Sequence, residues 1–258
     1  MSEGITVDID DALMVITIDR PSVLNALDPA AHQALSEALD DFGGDDTLRV
    51  AIVTGAGERS FCVGSDLKAR AASNRDNHPS TGFAGLTHRF DLEKPVIAAV
   101  NGLAIGGGLE IVLASDLAIA ADHAVFQLPE TKVGLAAIGG GGLQRLARQI
   151  PMKHAMDMIL TGRRFDAEEA RMMGIVSRVV PGADLMAEAK VMADAVIEGA
   201  PIATAASLHV AKASLSAPDL RSALVAGYPM IERMFESDDA IEGQRAFNEK
   251  RKPRWKGR

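Results

Sequence analysis

Residues 94–130 constrain this chain most: KPVIAAVNGLAIGGGLEIVLASDLAIAADHAVFQLPE. Pro95–Val100 is a short apolar run that reads as a buried strand. Gly106–Gly108 then open a helix reaching about Ser115, and Asp116–Ala121 reads as a further strand. Glu110 stands inside this otherwise apolar helix, and Glu130 follows Pro129 twenty residues later. A helix N-terminus offers unpaired backbone N–H groups and a partial positive charge. Glycine lets a ligand come close to that backbone, so the triplet suits an oxyanion or a phosphate. The plainer alternative is a tight connection, with Glu110 complementing the helix dipole.

The 258 residues allow one large domain, or a domain with an appendage. With 47% hydrophobic residues the chain is not disordered. No apolar run reaches the roughly 18 uncharged residues of a membrane span. The start, MSEGITVDID, lacks the basic and apolar regions of a secretory signal. The one cysteine, Cys62, excludes an internal disulfide framework and a multi-cysteine metal site. A cytoplasmic location without membrane association is expected. Net charge of −8 disfavours nucleic acid as the main partner. The tail from Lys250 to Arg258 nevertheless carries six basic residues and no acid. It reads either as a solvated, partly frayed terminus or as a local site for phosphate groups.

Ile5–Ile9 and Leu13–Asp19 read as paired strands, with Asp10 and Asp11 at the turn. Asp28 caps and Pro29 starts an amphipathic helix to about Phe42. Arg49–Thr54 is a short buried strand. Residues 69–82 are small, polar and turn-rich, the pattern of a mobile surface loop. Gly139–Gly142 precede a helical stretch from Leu143 to Thr161. Beyond Pro181 helices are expected over 183–199, 202–215, 219–235 and 238–249. Strands alternating with helices, then helices alone, predict an α/β core with a helical C-terminal segment. No repeat of 20–50 residues is present in the sequence.

Phe61–Leu67 follows a strand and can supply a second backbone donor, or be an ordinary loop in which Asp66 caps the next turn. Glu130, between Phe126 and Val133, is either a proton donor with a raised pKa or a surface glutamate at a helix start. Histidines 32, 78, 88, 123, 154 and 209 show no metal-ligand spacing and read as structural or surface residues. Gly55-Ala56-Gly57 lacks the third glycine and the following helix of a dinucleotide loop. Ser65 is not in a G-x-S-x-G elbow.

Taken in order, several separated motifs resemble the crotonase superfamily of enoyl-CoA hydratases and isomerases. They are Arg20-Pro21 through Asn25-Ala26-Leu27, Ser60-Phe61 through Gly64-Ser65-Asp66-Leu67-Lys68, the 94–130 block, Leu160-Thr161-Gly162-Arg163, and Ala246 through Arg251. The resemblance is nearly full length. It implies an α/β fold, the crotonase (ClpP-like) spiral of β-β-α units with a helical C-terminal segment. It also implies a core over residues 1–200, and a segment over 201–258 for oligomerisation and covering the active site. The expected partners are an acyl-CoA thioester substrate and further copies of the chain, as a homotrimer or dimer of trimers. Coenzyme A is then part of the substrate, and no metal or other cofactor is expected. By the same resemblance Glu110 and Glu130 are the catalytic acids, and the backbone N–H groups of Ser65 and Gly107 form the oxyanion hole. Ser22, Val23, Leu24, Lys68, Phe247 and Lys250 fall where the family contacts coenzyme A. Because both acids are present, reversible syn addition of water to a 2,3 double bond is the expected reaction. Alternatives are isomerisation or thioester hydrolysis on the same scaffold, or a non-catalytic relative that binds CoA esters or RNA.

Two finer features bear on the acyl group. Gly82–Thr87 and the end from Asp239 to Arg258 are similar to the carnitinyl-CoA dehydratase-like members of the family. Those members are expected to carry an aromatic residue where this chain has Ser65. With aromatics at 4%, the chain has little with which to hold a quaternary ammonium group. The segment Val133–Leu146 also lacks a proline common in the family and looks one residue longer, with glycines at 139–142. That loop is expected to bear on the position of Glu130 and on the acyl-pocket wall.

Overall fold

A computed structural model describes residues 4–66 and 78–258. Lys68, and residues 69–77 of the segment read as a mobile loop, lie outside the described residues. The chain opens with a hairpin, β1 (Ile5–Asp10) antiparallel to β2 (Leu13–Ile18). Helix α1 (Pro29–Gly44) follows. The Asp28 side chain accepts the Ala31 N–H at 2.8 Å, and Pro29 occupies the first turn, where a missing N–H is harmless.

Strands then come in pairs: β3 (Val50–Gly55) with β4 (Ser60–Cys62), β5 (Val96–Val100) with β6 (Leu103–Ile105), and β7 (Leu117–Ala121) with β8 (Val125–Gln127). Two single strands follow, β9 (Arg164–Asp166) and β10 (Arg178–Val180). The first strand of each pair joins one sheet, ordered β1-β2-β3-β5-β7-β10; the second joins another, ordered β4-β6-β8-β9. Beyond the hairpin the large sheet is parallel. The chain therefore steps sideways through both sheets together, which is the spiral the motifs implied.

Helix α2 (Gly107–Ala114) follows β6. After β8 come α3 (Gly142–Gln149), α4 (Met152–Thr161), then β9, α5 (Ala167–Met173), β10 and α6 (Leu185–Ile197). The rest is α7 (Pro201–Ser214), α8 (Leu220–Val225), α9 (Pro229–Glu236) and α10 (Asp238–Asn248). Alternate residues of the large sheet serve two cores. Val50, Ile52, Ile97, Ala99, Ile119 and Ala121 pack with Leu185, Ala189, Met192 and Ala193 of α6. Ala51, Val53, Val96, Ala98, Val100, Ala118 and Ala120 face the main core with α1 and α2. Covering both faces explains why these strands read as unbroken apolar runs.

The long helix expected over 143–161 is two helices. Pro151 has no N–H to continue the ladder and holds Ile150 extended, at ψ 162°. Pro229 similarly divides the helix expected over 219–235 into α8 and α9. The three-residue strands β4, β6, β8, β9 and β10 are too short to show a period in the sequence. The basic tail does not fray. Trp255 Nε1 donates to Glu198 O at 2.8 Å, the N–H groups of Lys256 and Gly257 donate to Asp239, and Arg251 pairs with Glu242 and Glu249. Among the described residues no single helix is long and apolar enough to cross a membrane.

Candidate active site

The N-terminus of α2 is seated directly on β4: a Cβ on Gly108 would overlap the carbonyl of Cys62. Gly106, at φ +56° and ψ −121°, makes the turn from β6 into the helix. Its N–H donates to Gln127 O at 2.9 Å, and its carbonyl accepts the N–H of Glu110 at 3.1 Å. A trans peptide sets C=O and N–H in opposite directions. With the Gly106 carbonyl turned along the helix, the Gly107 N–H points out of its start.

The same reasoning applies across the site. Leu27 forms a parallel bridge with Ser65, donating its N–H to Gly64 O at 2.9 Å and accepting that of Asp66 at 2.8 Å. Because the Gly64 carbonyl faces Leu27, the Ser65 N–H points away from it. Gly64, at φ +93°, lies against the start of α2, where its Cβ would stand 3.3 Å from the Gly107 nitrogen. The Ser65 amide thus turns away from Leu27, and the Gly107 amide points out of the helix start that Gly64 abuts.

Glu110, in the first turn of α2, is 4% exposed. Its Oε1 accepts the Gly142 N–H at 2.8 Å. Burial raises its pKa; hydrogen bonds from the Gly142 and Gly140 backbone and the charges of Arg145 and His88 oppose that rise. A Cβ on Gly140 would fall 2.6 Å from Glu110 Oε2, so the glycine loop wraps this carboxylate. The Gly139–Gly142 segment therefore bears directly on Glu110, a neighbour the sequence does not indicate. Arg145 ties this corner together, donating to Thr87 O at 2.5 Å and to Gly140 O at 3.4 Å.

Glu130 begins a 3-10 turn, Glu130–Val133, rather than an α-helix. It is half-buried, and its Oε2 is enclosed without a hydrogen-bond partner among the described residues. Oε1 lies beside Gly106, 2.9 Å from where a Cβ would be. Burial raises the Glu130 pKa, its own backbone N–H opposes this, and the charge of Glu110 raises it further. The charge of Glu110 thus bears on Glu130. Val133, read from the sequence as part of an apolar surround, is 69% exposed.

Ser22, Val23 and Leu24 lie on a surface 3-10 turn held by the buried Asn25. Asn25, at φ +58°, accepts the Arg20 N–H at 3.0 Å and donates to Ala56 O and Ser60 O. Arg20 ion-pairs with Asp28 at 2.5 Å and reaches Asp66 at 3.8 Å, joining this turn to the Ser65 strand. Phe247 and Lys250 are exposed at the end of α10. Cys62 is buried and its thiol is pushed up to about 12 by burial, so it is not a nucleophile. Among the described residues no three His, Cys, Asp or Glu side chains are grouped to hold a metal ion.

A buried Glu110 and a half-buried Glu130, both with raised pKa values, lie at the start of one helix, the kind of setting in which carboxylates are tuned for proton transfer. The sequence profile of the family described as Enoyl-CoA hydratase/isomerase matches residues 8–258. A carnitinyl-CoA dehydratase of Salmonella typhi is 45% identical over 267 residues, covering all of both chains. Crystal structures of enoyl-CoA hydratases from Mycobacterium tuberculosis H37Rv and Mycobacterium marinum superpose with TM-scores of 0.93 and 0.92. Each is 38% identical and covers 99% of both chains. The chain is an enzyme of the enoyl-CoA hydratase/isomerase family.

Proposed function

We propose that this enzyme is a hydro-lyase that reversibly adds water, syn, across the 2,3 double bond of an enoyl-CoA thioester. The observation that carries this is that Glu130 Oε1 lies beside Gly106, at the start of the helix whose first turn holds Glu110, close enough for the Glu110 charge to raise the Glu130 pKa. The thioester carbonyl oxygen accepts hydrogen bonds from Ser65 and Gly107 N–H, which stabilise the charge it gains as the enolate forms. Glu110, ionised, takes a proton from water as the oxygen bonds to C3. Glu130, protonated, delivers its proton to C2, and the enolate electron pair returns to form the C2–H bond. The reverse steps expel water. Burial raises both pKa values, and what differs supports this division. Backbone N–H groups of Gly142 and Gly140 and the charges of Arg145 and His88 counter the rise at Glu110. Glu130 Oε2, in contrast, has no hydrogen-bond partner among the described residues, and the charge of Glu110 adds to its rise.

Coenzyme A contacts are assigned to Ser22, Val23, Leu24 and Lys68, and to Phe247 and Lys250 on the C-terminal helical segment. The proposed assembly is a trimer or dimer of trimers in which residues 201–258 mediate association. Crotonyl-CoA turnover by Glu110→Gln and Glu130→Gln tests the reaction. Each loses about 10²–10⁴ in kcat if it acts as described; unchanged turnover removes that residue from the mechanism.

Full-length 45% identity to a carnitinyl-CoA dehydratase supports a finer reading, in which the acyl chain carries a trimethylammonium group. Comparing kcat/KM for crotonobetainyl-CoA and crotonyl-CoA decides it. A preference for crotonyl-CoA excludes the finer reading and leaves the hydration chemistry intact.

A further inference from the structure

His32 sits on the inner face of α1, 2% exposed, between Ala31 and Leu35. A leucine would serve packing there equally well. The imidazole does something else: its Nδ1 accepts the Ala84 N–H at 3.0 Å. Burial, with the charges of His78 and Arg20, lowers the His32 pKa to about 3. The ring is therefore neutral at working pH, with an acceptor lone pair on Nδ1 and the proton on Nε2.

The turn that His32 grips is strained. Ala84 has φ +55° and ψ 21°, a conformation that a residue with a Cβ holds only when its surroundings impose it. Gly85, at φ +64°, lies on the Ser36 backbone, where a Cβ has no room. Ser36 Oγ and Thr81 Oγ1 share a hydrogen bond of 2.8 Å. One turn of α1 thus fastens the turn at two points.

Phe83 projects from the same turn. Its ring meets His32 edge-on at 4.5 Å and His78 at 5.3 Å. The far end of the ring, Cζ with both Cε atoms, presses on Gly107, where it occupies the space a Cβ would need. A continuous line of contact runs from the His32 lone pair, through the turn, to the residue at the helix tip.

We infer that His32 is a positioning residue of this site: by holding the Ala84 N–H it seats the Phe83 ring on Gly107 and fixes the aim of the Gly107 amide. This rests on the proposal that Gly107 is an oxyanion donor. Such donors act through preorganisation, so a small loss of aim weakens catalysis more than binding.

The test uses His32→Leu, His32→Asn and Phe83→Leu in the full-length enzyme. The infrared carbonyl stretch of bound butyryl-CoA labelled with carbon-13 at C1 reports polarisation by the amides, and crotonyl-CoA supplies kcat and KM. The wild type should shift the stretch down from its value in water. His32→Leu should lose half or more of that shift, with kcat falling about tenfold or more and KM changing less than about threefold. His32→Asn should restore both, because its Oδ1 is bonded to Cγ as Nδ1 is and can accept the same N–H. Phe83→Leu should behave as His32→Leu, and decides the matter if His32→Leu does not fold. A full shift and full kcat in a folded His32→Leu, or in Phe83→Leu, overturns the inference. If the wild type shows no shift, the oxyanion proposal itself fails and the role of His32 falls with it.

Discussion

Glu110 Oε1 accepts the N–H of Gly142 at 2.8 Å, so a catalytic candidate on one helix is aimed by the first residue of another. The intervening Gly139–Gly141 segment has to pass over the carboxylate, and at Gly140 there is no space for a side chain. Gly140→Ala should therefore push Glu110 aside without unfolding the core. The expected result is a kcat lower by about 10²-fold with little change in KM, since displacement of a reacting group by about 1 Å has effects of that size. Steady-state kinetics with crotonyl-CoA, alongside a melting curve, checks it.

Gly64→Ala probes the opposite wall. Gly64 has φ +93°, and an added methyl would stand 3.3 Å from the Gly107 nitrogen. It would crowd the Gly107 amide and strain the turn that carries Ser65. Loss of one oxyanion donor lowers kcat by about 10²–10³, and a fall of that order is expected here. Retention of full activity would place the ester oxygen elsewhere.

Stability and pH are linked at the two acids. Burial raises both pKa values above the ordinary 4.5, so folding favours the protonated forms. That stabilisation is complete below pH 4.5 and is lost as pH rises through the folded-state values. At neutral pH the wild type holds buried negative charge that glutamine lacks. Glu110→Gln should therefore melt at higher temperature than the wild type near pH 7–8, whereas Glu130→Gln, which replaces an acid already protonated in the resting enzyme, should differ little. The Glu110→Gln difference should shrink as pH falls below 4.5. Melting curves across pH 4–8 measure it; a lower melting temperature of Glu110→Gln at pH 7 contradicts the burial argument.

Asp239 is 2% exposed and accepts the N–H groups of Lys256 and Gly257, fastening the tail to α10. Asp239→Ala removes the acceptor of both donors in a partly buried corner. A fully buried loss costs about 1–3 kcal/mol, so with part-buried donors urea unfolding should show a decrease of about 1–3 kcal/mol in total.

Much of this site is legible in the residues, for physical reasons. The glycine triplet and Glu110 stand out because a charge in an apolar helix and three adjacent glycines both break local rules for cause. The turn at Asn25 is legible as a motif, and its cause is visible only in space: a left-handed φ, with side-chain bonds to Arg20, Ala56 and Ser60. His32 shows one weak signal, a polar ring on the buried face of α1, because its partner Ala84 is 52 residues away. The wrapping of Glu110 by Gly140 and Gly142 is likewise non-local, 32 residues apart at Gly142, and so has no local signal. The short strands β6 and β8 escape sequence reading because three residues carry no measurable period.

The most direct measurement of the central claim is the product formed from crotonyl-CoA in oxygen-18 water, followed by mass spectrometry with time. The account predicts 3-hydroxybutyryl-CoA carrying one oxygen-18 at C3, with formation abolished or reduced at least about 10²-fold by Glu110→Gln. Free coenzyme A, a shifted double bond, or a labelled product formed equally well without the Glu110 carboxylate would contradict it.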